Sequence, residues 1–224
     1  MIITGIIDTW SKYSSIFLKG ALGTLEYAAV AVIFGSIVGT LIAILHLSKN
    51  KIIEAIARIY VTVLRGTPLL VQMYIAYFFL PVAFPILDFV TKEQWVAVSL
   101  ILNSSAYVSE IIRGGILSVD KGQSEAARSL GMSSKNCMKK IILPQALKAI
   151  LPSLAGEYIS MIKETSLAGT FMMYELMYTR VLLANKFLTW QPLFIIAIIY
   201  LIMTTVLTWL VRLLEKRLAE SDWE

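Results

Sequence analysis

Charged residues, cysteine and histidine are all scarce in this sequence of 224 residues. Charged side chains make up 16% of it, against about a quarter in ordinary soluble domains. Apolar residues make up 58%, and the mean hydropathy is +0.74, which disfavours both a soluble domain and a disordered chain. With one cysteine, Cys137, and one histidine, His46, we expect no internal disulfide and no metal site.

Three catalytic motifs are also missing. The chain contains no GxxxxGKS/T phosphate loop, no HExxH and no GxSxG. The first cradles nucleotide phosphates, and the other two mark zinc peptidases and serine hydrolases. We therefore expect no cofactor and no catalytic residue in this chain. If ATP drives its function, a partner polypeptide must bind the ATP.

Long apolar runs predict five membrane-spanning helices, because a helix needs about 20 apolar residues to cross a bilayer. The predicted fold class is therefore all-α transmembrane, with runs at residues 20–45, 59–80, 95–117, 146–170 and 192–214. Before the first run, Trp10, Tyr13 and Phe17 recur at helical spacing and predict a short interfacial helix. We expect three regions, namely an N-terminal segment, 1–19, a transmembrane domain, 20–214, and a tail, 215–224.

The basic residues predict the orientation of these spans. A pI near 9.2 also fits nucleic-acid binding, but in membrane proteins Lys and Arg gather in cytoplasmic loops. Seven of the 20 Lys and Arg residues lie between Arg113 and Lys148, and others lie in the first loop and the tail. We therefore expect the N-terminus outside, the C-terminus in the cytoplasm, the lipid bilayer as a partner and no nucleic acid.

The longest polar stretch between spans, residues 113–148, has a helical pattern. Residues 123–130 favour a short helix, which Gly131 can end in a left-handed conformation. A second helical piece, residues 134–142, is expected to stop at Pro144.

Two alanines, Ala126 and Ala127, leave little bulk on the first of these helices. A partner surface could approach it closely, with Glu125 and Arg128 as polar contacts. From the residues alone, a plain solvated basic loop fits equally well.

The spacing in this stretch resembles the EAA loop of ABC importer permeases. Glu125-Ala126-Ala127, three residues, Gly131, nine residues, Ile141, one residue and Leu143-Pro144 match every position of EAA-x3-G-x9-I-x-LP. Four further stretches resemble the polar-amino-acid branch of that family, the histidine, glutamine and arginine permeases. They are RGTPLLVQ, NSSAYVSEIIRGGI, KGQSEAARSLG and KETSL.

The resemblance implies a type I ABC importer permease that works as a pair in a bacterial inner membrane. The second permease would be a copy of this chain or a paralogue. A cytoplasmic ABC ATPase dimer would bind ATP, and an extracytoplasmic binding protein would deliver the amino acid. The coupling loop, about residues 118–145, would contact the ATPase through Gln123, Glu125, Ala126, Ala127, Arg128 and Gly131.

An acidic residue, Glu157, interrupts the fourth apolar run about 16 Å from its start. A charge at that depth costs about 2.5–3.5 kcal/mol, so it needs a reason. Glu157 shares a helical face with Ser153, Ser160 and Glu164, which suggests a pathway in which Glu157 and Ser160 bind a cationic substrate. The alternative is a structural pair with Lys163 or with a residue on another span. By resemblance, an acidic residue at this position is typical of the family members that carry cationic amino acids.

A break in the second apolar run is the next candidate. Pro68 cannot donate to the carbonyl of Leu64, and broken helices in membranes line cavities. The helix beyond the break would present its N-terminus to a substrate carboxylate, with Arg65, Thr67 and Pro68 near the site. The alternative is a proline kink with Arg65 extended to the cytoplasmic interface.

A polar cluster in the third run completes the candidate substrate site. It contains Asn103, Ser104 and Ser105, and either a pathway or helix packing explains it. We expect a permease subunit of an ATP-driven importer of polar, possibly cationic, amino acids. The alternative function is an ion-gradient-driven secondary transporter in which Glu157 or Glu26 relays protons.

Overall fold

The computed structural model describes residues 2–183 and 190–220, and every regular element within them is helical. Lys186 and the last four residues of the predicted tail lie outside the described residues. The helices are α1 (Ile2–His46), α2 (Lys51–Gly66), α3 (Leu69–Ala83), α4 (Lys92–Leu117), α5 (Lys121–Ser129), α6 (Ser134–Cys137), α7 (Leu143–Glu164), α8 (Tyr178–Leu183) and α9 (Gln191–Glu220). Short 3-10 segments lie at Pro85–Leu87 and Thr165–Phe171, and π-helical turns at Ile75–Phe79 and Met138–Ile142.

The first helix, α1, joins the predicted interfacial segment and the first predicted span in one element of 45 residues. At 1.5 Å per residue it is about 68 Å long, roughly twice the bilayer core. Gly35 and Gly39 pack against α4 so closely that an added Cβ would lie 2.9 Å from Ser104 and 2.7 Å from the Ser105 carbonyl. Larger residues at these two positions would push α1 and α4 apart.

Within residues 2–183 and 190–220, three helices are long and apolar enough to cross a membrane, namely α1, α4 and α9. A fourth span is formed if α2 and α3 are one bent element, with 102° between them. The amphipathic α7 has 22 residues and is long enough to cross a membrane, but it is not apolar enough. The count of five spans therefore stays a prediction.

The centre of the bundle is α4, which packs along α1 and also contacts α2, α3 and α7. Thr91 begins α4 with a capping box, in which its hydroxyl accepts from the Gln94 amide and Gln94 accepts in return. The apolar core beside α4 includes Leu100, Met161 and Phe171, all buried. This packing holds α4 and α7 against each other where their polar residues meet.

The coupling loop contains the predicted helix, shifted slightly, as α5. Gly131 has φ +81°, and the amides of Gly131 and Met132 donate to the carbonyls of Arg128 and Ala127. This is a Schellman end, so the predicted left-handed stop at Gly131 is confirmed.

The expected stop at Pro144 is wrong. Helical structure runs from Ser134 through Pro144 into α7, with the π-helical turn Met138–Ile142 just before the proline. A π turn shifts the hydrogen-bonding register, which accommodates the ring and the missing amide donor of Pro144 without ending the helix.

Candidate functional site

A break separates α2 from α3, as the sequence predicts. Thr67 and Pro68 are extended, with ψ 146° and 134°. The Leu64 carbonyl, which Pro68 cannot serve, accepts from the Gln72 side-chain amide at 2.8 Å. The same amide nitrogen lies 3.1 Å from the Thr67 carbonyl and 2.9 Å from its hydroxyl. Gln72 therefore satisfies the backbone that the break leaves open.

Gln72 is a residue that the sequence analysis missed, although its position four residues after Pro68 was a usable signal. Asn103 on α4 completes its network, because its amide nitrogen donates to Gln72 at 3.1 Å and lies 3.4 Å from the Leu64 carbonyl. These bonds occupy the donors of the Asn103 amide. The break is therefore fixed to α4.

A polar cavity of about 400 Å³ lies between the break, α4 and α7. Its wall includes five of the eight predicted substrate-site residues together with Glu164. The lining is Thr67, Pro68, Leu69, Asn103, Tyr107, Glu157, Ser160, Met161 and Glu164. We call it the substrate cavity below.

The other three predicted residues lie elsewhere. Ser104 is fully buried behind the wall and donates to Glu157 at 3.1 Å. Ser105 faces α2, where its hydroxyl lies 2.6 Å from that of Tyr60. Arg65 lies outside the cavity wall, beside Glu110. Of the serine pair, Ser104 supports the cavity and Ser105 joins helices.

Glu157 is 8% exposed, and Ser104 supplies its hydrogen bond. No ion pair within residues 2–183 and 190–220 includes Glu157. A structural pair with Lys163 is therefore not formed in this structure, whereas a hydrogen bond from another span, donated by Ser104 on α4, is present. A carboxylate with one protein donor, at the edge of a cavity that also contains Glu164, can accept further donors from a bound molecule.

A second cavity, of about 690 Å³, lies where α1 ends, α2 begins and α4 ends. Its wall is rich in charged side chains, and we call it the basic vestibule. They are Lys51, Glu54, Arg58, Arg65, Glu110 and Arg113, and His46 lies on the same wall. Arg113 forms two bonds with Glu110, at 2.9 and 2.8 Å, so these two residues form an ion pair.

Another carboxylate, Glu175, is buried at the opposite end of the bundle, in the loop between α7 and α8. It is fully buried and accepts from the amides of Met177 and Tyr178, at 2.7 and 2.6 Å, and from the Tyr200 hydroxyl at 3.0 Å. Burial raises the pKa of the Glu175 carboxyl, and these hydrogen bonds partly offset that effect. The sequence analysis missed Glu175, whose only signal was one acidic residue in the apolar stretch MMYELMY.

Four of the six predicted coupling residues are exposed on α5. Ala127 is buried against Cys137 and Ile142, whereas Gln123, Glu125, Ala126 and Arg128 are exposed. The guanidinium of Arg128 donates to Ser134, which ties α5 to α6. Next to these residues, Leu130 is 88% exposed, and we expect this large apolar side chain to be covered by a partner.

A bundle of long apolar helices around a polar cavity with a buried carboxylate is the architecture of a membrane permease. The chain belongs to the family described as the binding-protein-dependent transport system inner membrane component, which it matches over residues 31–220. It is a permease subunit of an amino acid ABC transporter. This membership sets aside the alternative of an ion-gradient-driven transporter.

Two curated relatives match nearly the full chain. The putative glutamine transport system permease protein GlnP of Rickettsia bellii (strain RML369-C) is 40% identical over 205 residues, 91% of this chain and 93% of that protein. The arginine transport system permease protein ArtQ of Bacillus subtilis (strain 168) is 38% identical over 209 residues, 92% of this chain and 93% of that protein.

Solved structures give the same fold. A crystal structure of an amino acid ABC transporter with histidines superposes with a TM-score of 0.86 at 38% identity, covering 93% of this chain and 97% of that one. An inward-facing methionine transporter, MetNI, superposes with a TM-score of 0.79 at 15% identity, covering 92% of this chain and 98% of that one. The predicted type I permease fold is confirmed.

Proposed function

We propose that this permease carries cationic amino acids into the bacterial cell through the substrate cavity. The observation that carries the proposal is Glu157, a buried carboxylate on the cavity wall that forms no salt bridge among the described residues. A lone buried carboxylate is costly unless something pairs with it. An ammonium or guanidinium group of the substrate would supply that partner each time the cavity is loaded.

The remaining polar atoms of the cavity suit the same occupant. Ser160 and Glu164 offer acceptors on the same wall as Glu157, and a cationic side chain carries only donors. At the other side of the cavity, Leu69 begins the helix Leu69–Ala83. We propose that this helix start receives the α-carboxylate, which every amino acid carries.

Coupling to ATP is part of the proposal. We propose that a cytoplasmic ABC ATPase dimer docks on the exposed face of α5, through Gln123, Glu125, Ala126, Arg128 and the Gly131 turn. A second permease subunit would complete the pathway, and an extracytoplasmic binding protein would deliver the amino acid. The N-terminus would lie outside and the C-terminus inside, which puts the basic vestibule and the coupling loop at the cytoplasmic face.

The relatives' names leave the substrate class open, since one is named for glutamine and another for arginine. Competition uptake separates these two classes. In cells or vesicles that contain the whole transporter, excess arginine or lysine should inhibit uptake through the unmodified protein. Glu157→Gln should lower the apparent affinity for these cations about tenfold to a hundredfold, since a hydrogen bond to a charged group contributes roughly 1.5–3 kcal/mol.

Glu26→Gln is the matched control. Glu26 is an exposed acid on α1 that lines neither cavity, so its loss should leave the affinity unchanged. Uptake that neutral amino acids inhibit and cationic ones never do would contradict the cationic substrate. It would leave the family assignment intact.

A further inference from the structure

The substrate cavity and the basic vestibule meet at one pair of side chains. Tyr107 lines the first and Arg65 lines the second. The guanidinium carbon of Arg65 lies 5.0 Å from the centroid of the Tyr107 ring, which is a cation–π contact. The pair therefore stands in the wall between the two cavities.

Glu110 has two arginine neighbours, and its contacts indicate which of them can leave. Arg113 donates to both carboxylate oxygens, at 2.9 and 2.8 Å. Arg65 is more loosely held, with Nη1 3.7 Å from Glu110 Oε2 and 42% of its side chain exposed. If Arg65 moves away, Arg113 still pairs with Glu110, so no carboxylate is left unpaired. Arg65 is therefore the movable member of the group.

The backbone position of Arg65 also favours movement. It lies in the last turn of α2, directly before the 102° bend into α3. A Cβ added at Gly66 would meet no atom within 4 Å, so there is room beside the chain at this point. A change of the bend would carry the guanidinium away from the Tyr107 ring.

We propose that Arg65 is a gate between the substrate cavity and the basic vestibule. In the closed gate its guanidinium occupies a cation subsite formed by the Tyr107 ring and the Glu110 carboxylate. A cationic substrate that leaves Glu157 takes over this subsite as Arg65 swings out. The charge of that substrate rests on the proposed function, whereas the gate does not.

Labelling of a cysteine inside the substrate cavity tests the gate. The reporter is Ser160→Cys in a Cys137→Ser background, in inside-out membrane vesicles that contain the whole transporter. The probe is a membrane-impermeant, cationic methanethiosulfonate. Arg65→Ala should speed the labelling about fivefold, because the half-exposed cation–π contact then no longer holds the passage shut. Arg65→Lys keeps the charge but loses the planar fork, so its rate should fall between the two.

The matched control is Arg58→Ala, because Arg58 lines the same vestibule but pairs with Glu54. Its labelling rate should stay within about twofold of the reporter alone, as exposed charges are screened by salt. Equal acceleration in both arginine variants would mean that the vestibule charge merely repels the probe, and would overturn the gate. An unchanged rate in Arg65→Ala would overturn it as well. Tyr107→Leu removes the other half of the pair and should also speed labelling, which covers a failure of Arg65→Ala to fold.

Ethylguanidinium tests the cation subsite without any transport. At millimolar concentration it should slow the labelling of Arg65→Ala toward the original rate, and it should lose this effect when Tyr107→Leu is added. Absence of protection in Arg65→Ala would refute the subsite. Protection by ethylguanidinium, together with uptake that arginine and lysine never inhibit, would refute the proposed substrate class and leave the subsite supported.

Discussion

Two glutamates lie buried in the bundle, and their surroundings differ. Glu175 is fully buried and accepts from two backbone amides and the Tyr200 hydroxyl. Glu157 is 8% exposed, accepts from Ser104 and lies on a cavity wall. At either position an apolar residue would cost less to bury than a carboxylate.

The number of protein donors separates a structural carboxylate from one that is available to a ligand. At Glu175 the donors come from the same loop and from α9, so the carboxylate holds that loop in place. The loop also packs closely against α1, since a Cβ added at Gly23 would lie 2.2 Å from the Tyr174 carbonyl oxygen. At Glu157 the protein supplies one donor and leaves open space beside the carboxylate. Burial alone therefore does not identify the functional residue.

The largest expected effect comes from removing each carboxylate in turn. Glu175→Leu leaves two amides and one hydroxyl buried without an acceptor, at about 1–3 kcal/mol each. We expect a loss of roughly 3–5 kcal/mol in the free energy of unfolding. Glu157→Leu strands one serine hydroxyl and removes an unpaired charge, so stability should stay within about 1 kcal/mol of the original. Thermal unfolding of the purified transporter in detergent measures both.

Equal destabilisation by the two substitutions would break the comparison, because it would make Glu157 a structural residue as well. Tyr158→Phe is a control for general damage to α7. Tyr158 follows Glu157 in the sequence, but its hydroxyl donates to the Leu25 carbonyl on α1. This variant should therefore leave substrate affinity unchanged.

The sequence predicted the elements whose physics is local. Proline chemistry at Pro68 gave the break, and the Gly131 turn gave the end of α5. The buried polar networks were harder, because Gln72 reaches Asn103 across 31 positions and Tyr200 reaches Glu175 across 25. Such partners are brought together by helix packing, which residue spacing along the sequence does not predict. The contacts of Arg65 could not be predicted for the same reason, because its partners Tyr107 and Glu110 lie on a different helix, α4.

The next effect is on the pH dependence of stability. Burial raises the pKa of the Glu175 carboxyl from its ordinary value near 4.5 to about 7. A raised pKa in the folded state means that the stabilising contribution is complete below pH 4.5 and is lost as the pH rises through about 7. Stability should therefore fall by about 1 kcal/mol per pH unit between roughly pH 5 and pH 7, and it should level off above that range. Thermal unfolding across this range measures the slope.

Glu175→Gln cannot titrate, so the difference in stability between it and the unmodified protein should carry this slope. The variant should be less stable at low pH, since its amide nitrogen opposes one of the two backbone donors. If both proteins show the same slope, the titrating group is not Glu175, and the contrast with Glu157 then rests on hydrogen bonds alone.

The smallest effect separates the two sites at the level of single donors. Ser104→Ala removes a protein donor of Glu157, and Tyr200→Phe removes one of several donors of Glu175. Because Ser104 orients the carboxylate on the cavity wall, its loss should lower the apparent affinity for the substrate about twofold to fivefold, equivalent to roughly 0.5–1 kcal/mol. Tyr200→Phe should leave affinity unchanged and lower the free energy of unfolding by about 1 kcal/mol. Uptake titrations and thermal unfolding on the same preparations give both quantities. If Ser104→Ala changes only stability, the hydroxyl merely fills a packing position, and Glu157 must be oriented by the substrate itself.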